Sequence, residues 1–299
     1  MRYHYLTVDV FTRQRFGGNQ LAVVPDARGL TTQQMQAIAR EFNYAETTFV
    51  LPPSSEENDA EVRIFTPARE VPFAGHPNVG TAFVLATLGQ VHGKQIGDAL
   101  RFEEKAGLVR LFIRYDGSGQ PVSTEFTAPA GLQLSDGVPI RHVAAAAGLE
   151  PTQIAATHHM PRIASVGLPF TVAELPNLET LAQAKPNLAA FDEHFAKLTG
   201  DALYLYARTG NNSIQARMFA PLHGVVEDAA TGSAAAALTA LLAHLAEDMD
   251  GTYPIIISQG REVGRPSTIE GSADKANGSV TAVRVGGPSV VVMDGALTV

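Results

Sequence analysis

The feature that most restricts this chain is an echo between its two halves. Arg63-Ile64-Phe65-Thr66-Pro67 and Arg217-Met218-Phe219-Ala220-Pro221 share the pattern Arg-x-Phe-x-Pro, the second copy falling about half a chain after the first. After each copy an irregular loop ends in a glycine, Gly75 or Gly232, and opens into a run of small apolar residues that reads as a helix, Val79–Ala86 or Ala234–Leu242. Three matches in five positions can arise by coincidence. The shared sequel and the half-chain spacing are what favour a duplicated unit. Duplication would place two helix N-termini in equivalent positions, facing a common cleft.

A chain of 299 residues suits two domains of ordinary size. With 45% hydrophobic and 17% charged residues it can bury full cores and carries no bias toward disorder. A formal charge of −8 and the lack of a basic stripe exclude a nucleic-acid partner. The N-terminus has no apolar signal core, and no apolar run reaches bilayer length. The expectation is therefore a soluble, cytoplasmic protein with no membrane partner. Cysteine is absent altogether, which removes thiol chemistry and thiolate-ligated metals.

The local patterns alternate between strands and helices. Val8–Phe11 and Leu21–Val24 read as strands around the turn Gly17-Gly18-Asn19. Thr31 or Thr32 can cap a helix that carries Met35, Ile38, Ala39 and Phe42 on one face, and Asn43 suits a left-handed stop. Further strands are predicted over Thr47–Leu51, Val62–Phe65, Phe102–Glu104, Leu108–Tyr115 and Ser123–Thr127, with a helix over Asn78–Leu88. The second half repeats the mixture. Helices fall near Arg141–Ala147, Leu178–Ala184, Phe191–Leu198 and Gly232–Ala246, and strands near Ile163–Val166, Leu203–Tyr206, Ser213–Phe219, Ile255–Ser258, Ser279–Val285 and Ser289–Met293.

Few residues carry a chemical signal alone. The Gly75-His76-Pro77-Asn78 loop matches neither a Walker nor a dinucleotide motif, but it offers free N–H groups at a helix start, a general anion site. Glu227–Ala234 has the same quality, with Thr231 or Ser233 available as an ordinary cap and Asp228 as an acidic residue before a helix. Glu46 opens an otherwise apolar strand; it is either a solvated strand end or a carboxylate aimed into a cleft. His158 and His159 are adjacent, so on a strand they would point to opposite faces, and no histidine spacing supports a metal. Ser233 lacks a nucleophile elbow.

Taken together these segments resemble one family. Gly17-Gly18-Asn19, Glu46-Thr47-Thr48-Phe49-Val50, Arg63–Pro67, Pro72-Phe73-Ala74-Gly75-His76-Pro77, Gly224–Ala234 and Gln259–Ser267 resemble the PhzF family of phenazine-biosynthesis isomerases in order and spacing, across essentially the whole chain. The resemblance implies an α/β (α+β) protein of two pseudo-repeated domains with the diaminopimelate epimerase fold. Each domain is a curved mixed sheet around a central helix, and the active site lies in the interdomain cleft. The expected domains are 1–120, joined by the C-terminal strand 287–299, and 121–286. The family's best-known member isomerises trans-2,3-dihydro-3-hydroxyanthranilate without cofactor. By resemblance Glu46 is the acid–base residue, His76 and Asp228 complete the catalytic set, and Gly75, Gly232 and Ser233 bind a small carboxylate substrate. No metal and no cofactor are expected, and a homodimer is.

Two departures bear on the substrate: Ala45 replaces a serine that contacts it in the phenazine enzyme, and Asn78-Val79 follow Pro77. Epimerases of this fold work with two thiols, which this chain lacks. An epimerase using carboxylates instead, or a non-catalytic binding protein on the same fold, are the competing readings.

Overall fold

The computed structural model describes residues 1–299, apart from the side chain of Asp136. In chain order the strands and helices are β1 (Arg2–Val10), β2 (Asn19–Val24), α1 (Thr32–Phe42), β3 (Glu46–Leu51), β4 (Ala60–Phe65), β5 (Glu70–Val71), α2 (Gly75–Leu88), β6 (Gln90–Val91), β7 (Lys94–Gln95), β8 (Ala99–Glu104), β9 (Gly107–Tyr115) and β10 (Pro121–Thr127). There follow β11 (Gln133–Gly137), α3 (Ile140–Ala147), β12 (Arg162–Ser165), β13 (Pro169–Glu174), α4 (Leu178–Gln183), α5 (Leu188–His194), β14 (Leu203–Gly210), β15 (Ser213–Ala220) and β16 (Val225–Asp228). The chain closes with α6 (Gly232–Leu245), β17 (Gly251–Gln259), β18 (Ser267–Ala276), β19 (Ser279–Gly287) and β20 (Ser289–Thr298).

Two compact units result: Met1–Pro129 with Gly286–Val299, and Ala130–Val285. Strand β10 pairs with β9 and stays in the first unit, which therefore runs past residue 120. Within that unit β20 lies antiparallel to β1, β1 antiparallel to β2, β2 parallel to β3, β3 antiparallel to β4, β4 parallel to β8, and β8 antiparallel to β9. The second unit repeats the order and the sense. There β11–β12 and β12–β13 are antiparallel, β13–β14 parallel, β14–β15 antiparallel, β15–β17 parallel and β17–β18 antiparallel. The echo in the sequence is a structural repeat.

Each parallel step needs a crossover, and helices supply it. Helix α1 joins β2 to β3, while α4 and α5 join β13 to β14. Thr31 caps α1 through a reciprocal capping box with Gln34, and Asn43 ends it at φ 53°. Met35 and Ala39 of α1 pack with Phe49 and Phe65, whose rings meet edge to face at 5.4 Å. Phe191 and Phe195 pack with Leu203, Leu205 and Phe219 in the second unit.

The central helices α2 and α6 have a different character. Every residue of α2 from Gly75 to Ala86 is buried, and α6 is buried over most of its length. Small residues make this possible. A Cβ on Gly80 would stand 2.6 Å from Leu21 Cδ2 and 2.7 Å from Val10 Cγ2, so the helix approaches β1 and β2 this closely only with glycine there.

Candidate active site

The Arg-x-Phe-x-Pro segments build the scaffold of each site. Arg63 Nε and Nη2 donate to Glu70 Oε1 and Oε2 at 2.8 and 2.9 Å, and its guanidinium lies over the Phe65 ring. Arg217 makes the same fork with Glu227, both bonds 2.8 Å, over the Phe219 ring. Glu70 and Glu227 sit on β5 and β16, the short strands that lead into α2 and α6. Each clamp therefore ties the loop before a central helix to the strand carrying the arginine.

In the first unit, the parallel register Leu21↔Glu46 puts the starts of β2 and β3 at one edge of the sheet. Asn19 and Glu46 come off that edge beside the first turn of α2. Glu46 Oε2 lies 3.4 Å from His76 Nε2, and Asn19 Nδ2 lies 3.3 Å from His76 Nδ1. The Glu46 side chain is 19% exposed and that of His76 is 5% exposed. Burial lowers the His76 pKa to about 3, against an opposing contribution from the Gln20 backbone, so the imidazole is neutral at physiological pH. A partly exposed carboxyl group beside a neutral, buried imidazole is an arrangement suited to acid–base work. Gly75, the first residue of α2, is adjacent, and no side chain caps this helix. Pro77 occupies its first turn, where the missing N–H costs nothing, so the helix begins at Gly75 and not at Asn78.

In the second unit Asp228 ends β16, and Gly232 and Ser233 begin α6. Thr231 is the residue at the cap position, yet neither it nor Ser233 caps the helix. The Thr231 hydroxyl donates instead to Asp228 Oδ2 at 2.6 Å. By contrast, Thr31, Asn177 and Asn187 all cap their helices with side chains. The first turns of α2 and α6 thus keep N–H groups for another partner.

Gln259, only 1% exposed, organises this turn and was legible in the sequence only as part of the family segment. Its Oε1 accepts from Thr231 N (3.2 Å) and Tyr204 OH (3.1 Å). Its Nε2 donates to Asp228 O (3.0 Å) and Thr231 Oγ1 (3.1 Å). Burial, with Asp228 nearby, pushes the Tyr204 hydroxyl pKa up, so it remains a donor. Ser267 Oγ donates to Ala229 O at 3.1 Å. Gly260, at φ +80°, lets the chain turn where a Cβ would stand 2.4 Å from Ala229 O and from Arg265 O. Asn19, Tyr204 and Ser267 carried no site signal beyond a turn, a strand and a family segment. Among the described residues no cluster of histidine, aspartate and glutamate is arranged to hold a metal ion.

The structure therefore gathers Glu46, His76 and Gly75 in the first unit, and Asp228, Gly232 and Ser233 in the second. A profile of the phenazine biosynthesis-like protein family matches residues 8–295. The chain is 40% identical to an uncharacterized isomerase from Mesorhizobium japonicum, covering 98% of each chain. It is 37% identical to the trans-2,3-dihydro-3-hydroxyanthranilate isomerase of Pseudomonas chlororaphis, covering 96% of each. A crystal structure of a PhzF-family protein from Bacillus anthracis superposes with a TM-score of 0.88 at 26% identity, over 100% of both chains. The mixed α/β fold of the diaminopimelate epimerase type expected from the resemblance is the fold observed.

Proposed function

The chain belongs to the phenazine biosynthesis-like family and is an isomerase of a small substrate, and from that premise we propose that it works without a cofactor on a carboxylate resembling trans-2,3-dihydro-3-hydroxyanthranilate. The observation that carries the reading is the Glu46–His76 contact at the uncapped start of α2. Glu46 as a carboxylate takes a proton from the carbon bearing the hydroxyl group, and the C–H electrons move into the diene. The protonated Glu46 then delivers that proton to a second carbon on the same face. The hydroxyl-bearing carbon is left as an enol, which tautomerises to the ketone. Nothing is oxidised or reduced, and one carboxyl group serves both steps.

His76, neutral and fixed by Asn19, keeps a dipole against Glu46 without competing for its proton. Gly75 offers backbone N–H groups to the substrate. Asp228, Gly232 and Ser233 are assigned to the same substrate on the family pattern of their segment, with Gln259 and Thr231 holding Asp228 in place. Two uncapped helix ends suit a substrate anion in an acidic protein. Ala45, next to Glu46, leaves room where the phenazine enzyme has a hydroxyl, so the natural substrate differs from that enzyme's near this position. The reading includes a cytoplasmic homodimer.

The test is steady-state kinetics on trans-2,3-dihydro-3-hydroxyanthranilate with Glu46→Gln, which keeps shape and removes the titrating oxygen. The expected loss in kcat is about 10²–10⁴-fold, the usual contribution of a positioned acid–base group, with melting unchanged within a few degrees. A variant with wild-type kcat would refute the role.

A further inference from the structure

Away from the helix start that carries the proposed chemistry, the second unit has a cavity of about 320 Å³. It opens toward the other end of α6, against Leu242, Ala243 and Ala246, about 15–20 Å along the helix from Gly232 at 1.5 Å per residue. Its remaining apolar wall is Tyr253, Pro254 and Ile255 of β17. Facing this wall are the side chains of Arg208 and His158, at the end of β14 and in the segment before β12.

These two side chains are oriented by a group behind them. Glu174, the last residue of β13, is 4% exposed. Its Oε1 accepts from Arg208 Nε at 3.0 Å, and its Oε2 lies 2.9 Å from His158 Nδ1 and accepts from Tyr206 OH at 3.1 Å. Tyr206 OH is in turn 2.9 Å from His159 Nε2. The buried carboxylate holds one nitrogen of the guanidinium and one of the imidazole. Arg208 and His158 both line the cavity, and their side chains are 36% and 52% exposed. A guanidinium fixed through Nε presents its terminal pair as a fork, the geometry that accepts a carboxylate by two parallel bonds.

We propose that this cavity is a second small-molecule site that binds a monocarboxylate with a compact aromatic or branched aliphatic body. The carboxylate sits on the Arg208 fork with His158 Nε2 beside it. The apolar body lies between Leu242 and Ala246 of α6 and Pro254 and Ile255 of β17. The volume is at the low end for ligand pockets and excludes a nucleotide. The wall rules out a purely inorganic anion as the best ligand, since an anion alone leaves the apolar surface wet.

Benzoate is the probe, with benzamide as its uncharged counterpart. Binding is followed by calorimetry and saturation-transfer NMR on the full chain, using wild type, Arg208→Gln, Leu242→Trp and Gly232→Val. Leu242→Trp fills the cavity without touching Glu174, so it reports even where Arg208→Gln disturbs folding. The expected result is saturable benzoate binding to wild type and to Gly232→Val, weakened at least tenfold by Arg208→Gln and by Leu242→Trp, with benzamide at least tenfold weaker than benzoate. No saturable binding at millimolar benzoate would overturn the proposal. So would binding abolished by Gly232→Val and kept by Leu242→Trp, which would put benzoate at the start of α6 instead. Neither result bears on whether Glu46 catalyses the isomerisation.

Discussion

The two arginine clamps look alike but should not be worth the same. Arg217 is 5% exposed and the side chain of its partner Glu227 10%; besides the fork, Arg217 Nη1 donates to Leu181 O (2.9 Å) and Ala184 O (2.7 Å) at the end of α4. Arg217→Met leaves a largely enclosed carboxylate unpaired and the carbonyls of Leu181, Ala182 and Ala184 without their donor. Removing one partner of a buried pair costs about 3–5 kcal/mol. Arg63 is more open, and Glu70 keeps a second cation, Lys105 Nζ at 2.6 Å. Arg63→Met should then cost only about 1–2 kcal/mol, the range for hydrogen bonds to a charged group whose partner finds a substitute. In urea, with a slope of about 2–3 kcal/mol per molar, the Arg217 variant should unfold about 1–2 M earlier and the Arg63 variant less than 1 M earlier. Adding Glu227→Gln to Arg217→Met should restore part of the loss, because the stranded charge is then gone. Equal shifts for the two arginines, or no recovery in the double variant, would refute the argument that burial sets the difference.

Two buried groups predict opposite pH dependences of stability. The His76 pKa falls from 6.5 to about 3 on folding, so its contribution is complete above pH 6.5 and is lost as pH drops toward 3, by up to about 5 kcal/mol; His76→Asn should flatten this acid limb in urea midpoints measured from pH 7 to pH 4. Burial raises the Glu104 pKa from 4.5 to about 8, opposed by a bond to Asn78, so its contribution is complete below pH 4.5 and is lost as pH rises through 8. Glu104→Gln should therefore lose less stability than wild type between pH 6 and pH 9, and a parallel decline in both proteins would contradict this.

What could be read in advance followed from local signals. Helix α1 was legible because its cap, its apolar face and its stop all lie within thirteen residues of one another. The repeat was legible because Arg63 and Arg217 stand two residues before the phenylalanine whose ring each covers in the same clamp. Strand β18 was not legible. Its buried positions alternate, but of the five only Ile269 is a large apolar residue; Ser267, Gly271, Ala273 and Lys275 are small or amphipathic and hide the period of two. The outer halves of β1 and β20 were missed for another reason: Arg2 pairs with Thr298, and nothing within either segment announces a partner at the far end of the chain. Helix α5 begins at Leu188, capped by Asn187 accepting from Ala190 N, where the apolar pattern alone suggested Phe191. The roles of Gln259 and Thr231 depend on β17 returning beside β16, a long-range contact that no local pattern encodes.

The central claim is that one carboxyl group, Glu46, carries the proton between two carbons. Substrate deuterated at the hydroxyl-bearing carbon, turned over in ordinary water and followed by deuterium NMR, tests it most directly. Wild type should deliver a fraction of the deuterium to the receiving carbon, since a monoprotic carboxyl group returns some of what it took before exchanging with solvent, and Glu46→Gln should give no turnover. Product with only solvent hydrogen at that carbon, formed at an unchanged rate by Glu46→Gln, would contradict the account.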